Sequence, residues 1–177
     1  MRIFFCLLLA CMLPAAALAE VTKSSSSGFI IQHSVTVSND TARVFREMTE
    51  KVGSWWNPDH SFSANADALL IDESCYCERW GKNLVRHLDT TIWIENEKVV
   101  MHGGLGPLKE LGLSGTMAWS LTPGEDAGTT ISWKYNVFGY SETDLASLAV
   151  AVDGVLKEQI DRLAGHLAGK KASAASK

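Results

Sequence analysis

The sequence lacks the excess of basic residues that nucleic-acid binding requires. Its 177 residues include 16 Lys and Arg against 20 Asp and Glu, which gives a formal net charge of −4. Because a protein neutralises nucleic-acid phosphates with basic side chains, this balance argues against a nucleic-acid partner. The chain also lacks a Gly-x-x-x-x-Gly-Lys-Ser/Thr phosphate loop and a recognisable nucleophile–base motif. These absences exclude a P-loop ATPase and favour a binding protein over an enzyme.

Long apolar runs are also missing, except at the N-terminus. Met1-Arg2 is positively charged, the stretch 3–13 is almost wholly apolar, and Ala17-Leu18-Ala19 is a small-x-small cleavage site. We therefore expect a signal peptide over 1–19, and a periplasmic or secreted protein that starts near Glu20. No second run approaches the roughly 20 residues that a membrane-spanning helix needs, so no span is predicted.

A lipoprotein signal is the alternative interpretation of this leader. Leu8-Leu9-Ala10-Cys11 has the form of an acylation box. Acylation of Cys11 would anchor the protein to a membrane without changing its fold.

Cysteine is scarce, since only Cys75 and Cys77 follow the leader. Two cysteines two apart on a strand point to the same face, and a bridge between them would close a very small ring and distort the strand. We expect two small apolar side chains that face the interior, and their redox state is left open. Cys-x-Cys is a weak metal signal, because structural zinc sites use wider spacing and four ligands. No cofactor is expected, and a redox or metal role is the alternative.

The rest of the chain predicts one α+β domain over 29–168, between a flexible linker (20–28) and a disordered tail (169–177). A strand at 29–37 precedes a short helix capped near Asp40, and six further strands are predicted at 68–71, 75–80, 84–95, 98–103, 115–122 and 129–139. An apolar stripe from Leu145 to Leu167 then predicts a helix of roughly 24 residues. We expect a curved antiparallel sheet of about seven strands that wraps around this long C-terminal helix, with a space between them.

This element order resembles the helix-grip START/SRPBCC superfamily, most closely its bacterial activator-of-heat-shock-protein-90-ATPase-like branch. The resemblance covers about residues 29–168 and rests on five segments: Trp55-Trp56-Asn57-Pro58-Asp59-His60, Cys75-Tyr76-Cys77-Glu78, Gly103-Gly104-Leu105-Gly106-Pro107-Leu108, Gly115-Thr116-Met117-Ala118-Trp119 and Val152-Asp153-Gly154-Val155-Leu156-Lys157-Glu158-Gln159. Relatives include lipid carriers, hormone receptors, polyketide cyclases and co-chaperones. The resemblance implies an internal cavity for an apolar or amphipathic molecule. A cytosolic co-chaperone role fits badly with an exported protein.

Aromatic, apolar and titratable residues from these segments and the neighbouring strands are the candidates for the cavity wall. We predict that ligand contacts come from Trp55, Trp56, His60, Glu78, Met101, Leu105, Leu108, Trp119, Trp133 and Tyr135. Glu78 either lies at an exposed strand end or turns inward, where His60, His87 or His102 could pair with it. His87 itself is expected to be solvated, because Leu84, Leu88, Ile92 and Ile94 form the more apolar face of its strand.

The segment from Gly103 to Gly112 (the 103–112 loop) combines four glycines with three leucines. Because exposed apolar patches tend to mark contacts, we predict a gate over the cavity. A short helical turn packed on the sheet edge is the alternative, and the leucines could also bind a protein partner.

Two functional hypotheses follow. The first is an exported protein that binds a small apolar or amphipathic molecule, with the 103–112 loop controlling entry. The second is a cyclase-like or hydrolase-like enzyme that uses His60, Glu78 and His102 as acid–base groups, or as metal ligands together with Cys75 and Cys77. The second hypothesis requires that these side chains converge.

Overall fold

The computed structural model describes residues 19–169. The predicted leader up to residue 18, the acylation alternative at Cys11 and the predicted tail beyond Gly169 lie outside the described residues. Within residues 19–169, no helix is both long enough and apolar enough to cross a membrane.

One antiparallel sheet of eight strands forms the body of the molecule, and its order is β1-β2-β8-β7-β6-β5-β4-β3. The strands are β1 (Ala19–Ser25), β2 (Gly28–Val37), β3 (Leu69–Ile71), β4 (Cys75–Trp80), β5 (Asn83–Ile94), β6 (Lys98–His102), β7 (Leu113–Pro123) and β8 (Thr129–Gly139). The long C-terminal helix covers its concave face, so the predicted α+β class is confirmed. The sheet has eight strands where about seven were expected.

The extra strand corrects the predicted linker. β1 pairs with β2 from Ala19↔His33 to Ser25↔Gly28, so the segment expected to be flexible forms an edge strand. Its composition is polar because an edge strand is stabilised mainly by backbone hydrogen bonds to one neighbour, and it needs little apolar area. Val21 adds a partly buried contact with the core.

Helix α1 (Thr41–Glu50) follows β2 and buries Val44, Phe45 and Met48. The side chain of Asp40 accepts a hydrogen bond from the backbone N–H of Arg43 at 2.8 Å, which confirms the predicted N-cap. Three short 3-10 turns at 52–54, 58–60 and 66–68 then lead to β3.

Helix α2 (Leu145–Leu167) has the predicted extent. Its N-cap Asp144 accepts hydrogen bonds from the backbone N–H groups of Ala146 and Ser147. Its buried stripe, from Leu145 to Leu167, packs on the concave face of the sheet.

Cys75 and Cys77 form a disulfide, which corrects the expectation of two unlinked side chains. Their Cα atoms lie 5.6 Å apart, within the range of about 4.4–6.8 Å that disulfides span. The register of β4 against β5 shifts between Tyr76 and Cys77, so the strand is not regular at the position where the bridge was expected to distort it. With both sulfurs in the bridge, neither cysteine offers the thiolate that the metal alternative requires.

Candidate functional site

A cavity of about 420 Å³ lies beneath the N-terminal half of α2. The helix supplies an aliphatic wall made of Leu148, Ala151, Val152, Val155 and Leu156. This wall belongs to the apolar face of the amphipathic helix α2.

The opposite wall is aromatic. The rings of Trp56 and Tyr76 pack edge to face with their centroids 5.4 Å apart. Tyr76 also contacts His87 at 5.2 Å, and Phe62 contacts His87 at 5.9 Å. These four rings line the cavity as one continuous surface, so a bound molecule would meet aromatic faces on one side and aliphatic groups on the other.

Glu78 lies directly behind this wall and is fully buried. Its carboxylate accepts hydrogen bonds from the backbone N–H groups of Phe62 and Ser63, both at 3.0 Å. His87 Nε2 donates to the same carboxylate at 2.9 Å. Of the alternatives left open by the sequence, the inward position with His87 as the partner is correct, and the exposed strand end is wrong.

His87 links Glu78 to the 103–112 loop. Its Nδ1 accepts a hydrogen bond from the backbone N–H of Gly106 at 3.1 Å. Because Nδ1 accepts and Nε2 donates, the hydrogen bonds assign the neutral Nε2–H tautomer. The chain of contacts from Phe62 through Glu78 and His87 to Gly106 therefore connects two walls of the cavity.

Burial and hydrogen bonding set the charge states of this pair. Burial alone would raise the pKa of Glu78, but the hydrogen bonds from Phe62, Ser63 and His87 outweigh it and lower that pKa. Burial lowers the pKa of His87 despite the nearby carboxylate. At neutral pH the pair is an ionised carboxylate and a neutral imidazole, in agreement with the hydrogen-bond pattern.

The expectation that His87 is solvated is wrong, and β-bulges explain why. Tyr76 pairs with Leu88 and Cys77 with Arg86, so His87 is an extra residue in β5. A second extra residue, Thr91, follows where β5 pairs with β6. Each bulge reverses the alternation of faces. His87 and Leu88 are therefore both buried, whereas Leu84, Ile92 and Ile94, assigned by period to the core face, are exposed.

The 103–112 loop forms the third wall through Leu105, Gly106, Pro107 and Leu108. It contains a 3-10 turn at Gly106–Lys109, so the alternative of a short helical turn describes its geometry. The hydroxyl of Tyr135 donates to the carbonyl of Gly103 at 2.9 Å and accepts from the N–H of Leu105 at 3.0 Å. Whether this loop also acts as a gate stays a prediction.

Two glycines fix where the loop leaves the sheet. A Cβ at Gly103, whose φ is +144°, would lie 2.6 Å from the carbonyl oxygen of His87. A Cβ at Gly104 would lie 2.6 Å from the backbone nitrogen of Lys109. A side chain at either position would force the loop away from the aromatic wall.

The rim of the cavity is polar and carries Asp59, His60 and Ser61. His60 Nε2 lies 3.0 Å from a carboxylate oxygen of Glu158 on α2, and the other oxygen accepts from the side-chain amide of Asn57 at 2.7 Å. These contacts join the rim segment to the helix.

The predicted site residues divide into two groups. Trp56, His60, Leu105 and Leu108 line the cavity, and Glu78 supports the wall from behind. The other predicted contacts pack in the core and do not line the cavity: Trp55, Met101, Trp119, Trp133 and Tyr135. Tyr76, His87 and the aliphatic face of α2 also line the cavity and were not predicted to do so, although Tyr76 shares the strand face of Glu78.

The three residues of the enzyme hypothesis do not converge. His102 is exposed, and its ring nitrogens lie near the hydroxyls of Thr116 and Ser114, both at 3.4 Å. It therefore lies apart from the rim that holds His60 and the buried position of Glu78. Among residues 19–169, no group of three His, Cys, Asp or Glu side chains is placed to hold a metal ion.

The sequence matches no protein-family model and no curated protein. The fold resembles several solved structures. DynU16, from the dynemicin biosynthetic locus, has a TM-score of 0.56 and 16% identity over 82% of this chain and 49% of its own, so this chain spans about half of DynU16. CalU16 from Micromonospora echinospora has a TM-score of 0.51 and 13% identity over 89% of this chain and 84% of its own. The Aha1 dimer from Colwellia psychrerythraea has a TM-score of 0.53 and 14% identity over 78% of this chain and 95% of its own. These are helix-grip proteins, and at such identities the likeness shows the fold alone.

Proposed function

We propose that this protein is an exported member of the START/SRPBCC superfamily, near its activator-of-heat-shock-protein-90-ATPase-like branch, that holds a small apolar or amphipathic molecule beneath α2. The observation that carries the proposal is the cavity of about 420 Å³ with aliphatic, aromatic and loop walls. Ligand pockets in proteins commonly measure about 300–1,000 Å³ and combine apolar walls with a few polar groups. Export rests on the leader predicted from the sequence.

The arrangement of polar groups supports binding in preference to catalysis. The carboxylate of Glu78 and both ring nitrogens of His87 are engaged by protein groups. A general base needs a free position within reach of the proton it removes. We therefore assign this pair to holding the cavity walls together, and no enzymatic activity is proposed.

The loop leucines also favour a ligand over a protein partner. Leu105 and Leu108 line the cavity, and Leu108 is buried. Apolar side chains that face inward are not available to a docking protein. We infer that the loop bounds the entry of the ligand.

The first test is native mass spectrometry of the protein without its leader, purified in the absence of detergent and then extracted with solvent. A co-purifying apolar molecule at one per chain is the expected result. The same protein is then titrated with N-phenyl-1-naphthylamine, an uncharged probe whose fluorescence rises in apolar surroundings.

Two variants on α2 make the titration specific to the cavity. Val155→Trp places a large ring in the cavity, because Val155 is part of its wall. Val150→Trp is the matched control, because Val150 is 68% exposed on the same helix. We expect one bound probe per chain, lost in Val155→Trp and kept in Val150→Trp. Equal binding by both variants, or none by the unmodified chain, would contradict the proposal.

A further inference from the structure

The groups around the cavity are unfavourable for an anion. Among residues 19–169, no Lys or Arg lines the cavity, and the lining carries one carboxylate, on Asp59. Glu78 lies behind the aromatic wall, and Glu158 lies at the rim beside His60. A carboxylate or phosphate placed here would be desolvated without a cationic partner, which is costly.

Lys109 and Arg162, two basic side chains of the neighbouring segments, make contacts elsewhere. Lys109 Nζ donates to the carbonyl of Arg86 at 2.6 Å, and Arg162 Nε donates to the carbonyl of Trp55 at 2.8 Å. The ring nitrogens of His87 are both occupied, and His60 Nε2 is paired with Glu158. The site therefore discriminates against ligands with an acidic head group.

The shape of the walls favours a flat molecule. Aromatic rings prefer offset or edge-to-face contacts with other rings, and Trp56, Phe62 and Tyr76 present such rings on one side. The helix opposite presents only aliphatic groups. A flexible chain would lose rotamer entropy when confined between these walls, whereas a rigid ring system would lose little.

Tyr76 adds a polar contact within the aromatic wall. Its side chain is 1% exposed, and its hydroxyl has no hydrogen-bond partner among the residues that the structure describes. Burial raises the pKa of Tyr76 well above its usual value of 10.0, so the hydroxyl stays protonated and can donate. The hydroxyl is not among the fully buried atoms that lack a partner, so it keeps some accessible surface, and an acceptor on a bound molecule can take its hydrogen bond.

We propose that the ligand is an uncharged, flat, conjugated molecule with a hydrogen-bond acceptor, such as a carbonyl oxygen, that receives the hydroxyl of Tyr76. This inference rests on the function proposed above, because it names the chemical class that the same cavity takes.

Four probes test charge and shape separately. They are 2-acetylnaphthalene and 2-naphthoate, which share a ring system, and 2-dodecanone and dodecanoate, which share a chain. Each competes with N-phenyl-1-naphthylamine for the cavity of the unmodified protein. We expect 2-acetylnaphthalene to bind more tightly than each of the other three by about tenfold or more, equivalent to about 1.4 kcal/mol.

Tyr76→Phe tests the acceptor contact. The variant should bind 2-acetylnaphthalene about fivefold more weakly, as the loss of one hydrogen bond of about 1 kcal/mol implies. Binding of 2-ethylnaphthalene, which has the same shape and no acceptor, should not change. Equal weakening of both naphthalenes would overturn the role of the hydroxyl.

The outcomes separate this inference from the proposed function. Tighter binding of 2-naphthoate, dodecanoate or 2-dodecanone, lost in Val155→Trp, would overturn the inference and leave the cavity function intact. No displacement by any probe, together with no binding of N-phenyl-1-naphthylamine, would overturn both.

Discussion

The two halves of α2 cover two very different parts of the same concave sheet. On the side of the C-terminal half, Trp55 packs against Trp119 and Trp133, whose rings stack with their centroids 4.7 Å apart. Arg162 of this half of the helix holds the carbonyl of Trp55. We call this region the closed end, because aromatic side chains fill it.

Under the N-terminal half, the aromatic rings leave space. Trp56 and Tyr76 form a wall, but their partners across the gap are the helix and the 103–112 loop, and a cavity lies between them. We call this region the open end. It depends on a buried ionised carboxylate and a neutral histidine, which join two backbone segments. The comparison shows that aromatic residues alone do not mark a binding site. The same kinds of ring fill the core at the closed end and line a cavity at the open end, where the contacts of Glu78 and His87 join the surrounding backbone segments.

The largest expected effect is at the closed end. Trp119→Ala should lower the free energy of unfolding by about 3–5 kcal/mol, because it removes a fully buried ring that stacks on Trp133. Urea titration measures the loss. The affinity of the folded variant for N-phenyl-1-naphthylamine should stay unchanged. A loss below about 1 kcal/mol would mean that the stack contributes far less than a normal core contact.

Glu78→Ala should have the next largest effect and act on the open end. It leaves the N–H groups of Phe62 and Ser63 and Nε2 of His87 without their acceptor, and we expect a loss of about 3 kcal/mol. Probe binding should weaken as well, because two walls lose their link. The exposed Glu97→Ala is the matched control, and equal stability losses in the two variants would contradict the role assigned to Glu78.

Removal of the disulfide should have a moderate effect. Cys75 and Cys77 are two residues apart, and closing so short a loop removes little entropy from the unfolded chain. Replacing both by Ala should cost about 1.5 kcal/mol. Tyr76 lies between them in the cavity wall, so thermal unfolding and probe affinity should be compared in the same samples. A loss of more than about 3 kcal/mol would show that the bridge also stabilises the fold by other means.

Tyr135→Phe tests how the loop is held. The variant removes the hydroxyl that bonds both Gly103 and Leu105, at a cost of about 1 kcal/mol. Because burial raises the pKa of Tyr135 to about 12, the hydroxyl is neutral at all pH values used. Stopped-flow release of the probe should become faster while the closed end stays intact. An unchanged rate of probe release would contradict the inference that the loop bounds the entry of the ligand.

The dependence of stability on pH tests the open end, with the smallest expected effect. The pKa of His87 is lowered in the fold, chiefly by burial, so the unfolded chain binds protons first as the pH falls. Stability should therefore be full above the unfolded-state histidine pKa of about 6.5 and decline below it. The lowered pKa of Glu78 adds a further decline in stability below a pH of about 4.3.

His87→Gln should reduce the slope of stability against pH in the window below about 6.5. His33, whose pKa burial also lowers, remains in the variant and keeps part of the slope. Urea midpoints from pH 7 downward measure the difference. Identical slopes in both proteins would show that His87 does not titrate in this window.

The parts of the fold that follow from side-chain periodicity could be predicted from the sequence. The stripe of α2 and the strand near 129–139 lie close to their predicted bounds because their burial repeats regularly. β1 could not be predicted, since backbone pairing at a sheet edge leaves almost no pattern in the side chains. The two bulges in β5 were also unpredictable, because each depends on how the neighbouring strand pairs.

The candidate site was predicted in part for the same reason. Trp56, His60, Leu105 and Leu108 line the cavity, since they lie in segments that meet the helix, and their contact with a ligand stays a prediction. Trp119 and Trp133 have equally suitable side chains, yet they stack on each other. The sequence records which residues are aromatic, but it does not record which of their rings border an open space.

The pairing of β2 with β8 also determines how this chain can reach its native state. Gly28 lies opposite Phe138 and Val37 opposite Thr129, so the first half of the sheet is completed by its last strand. Such contacts between distant positions slow folding, because the entropy of the intervening loop is lost before the pairing is gained. Until β8 is present, β1 and β2 can pair only with each other. The closed end can therefore form only when almost the whole chain is available, and a chain that stopped before β8 would leave β1 and β2 separate from β3–β7 and would also lack α2.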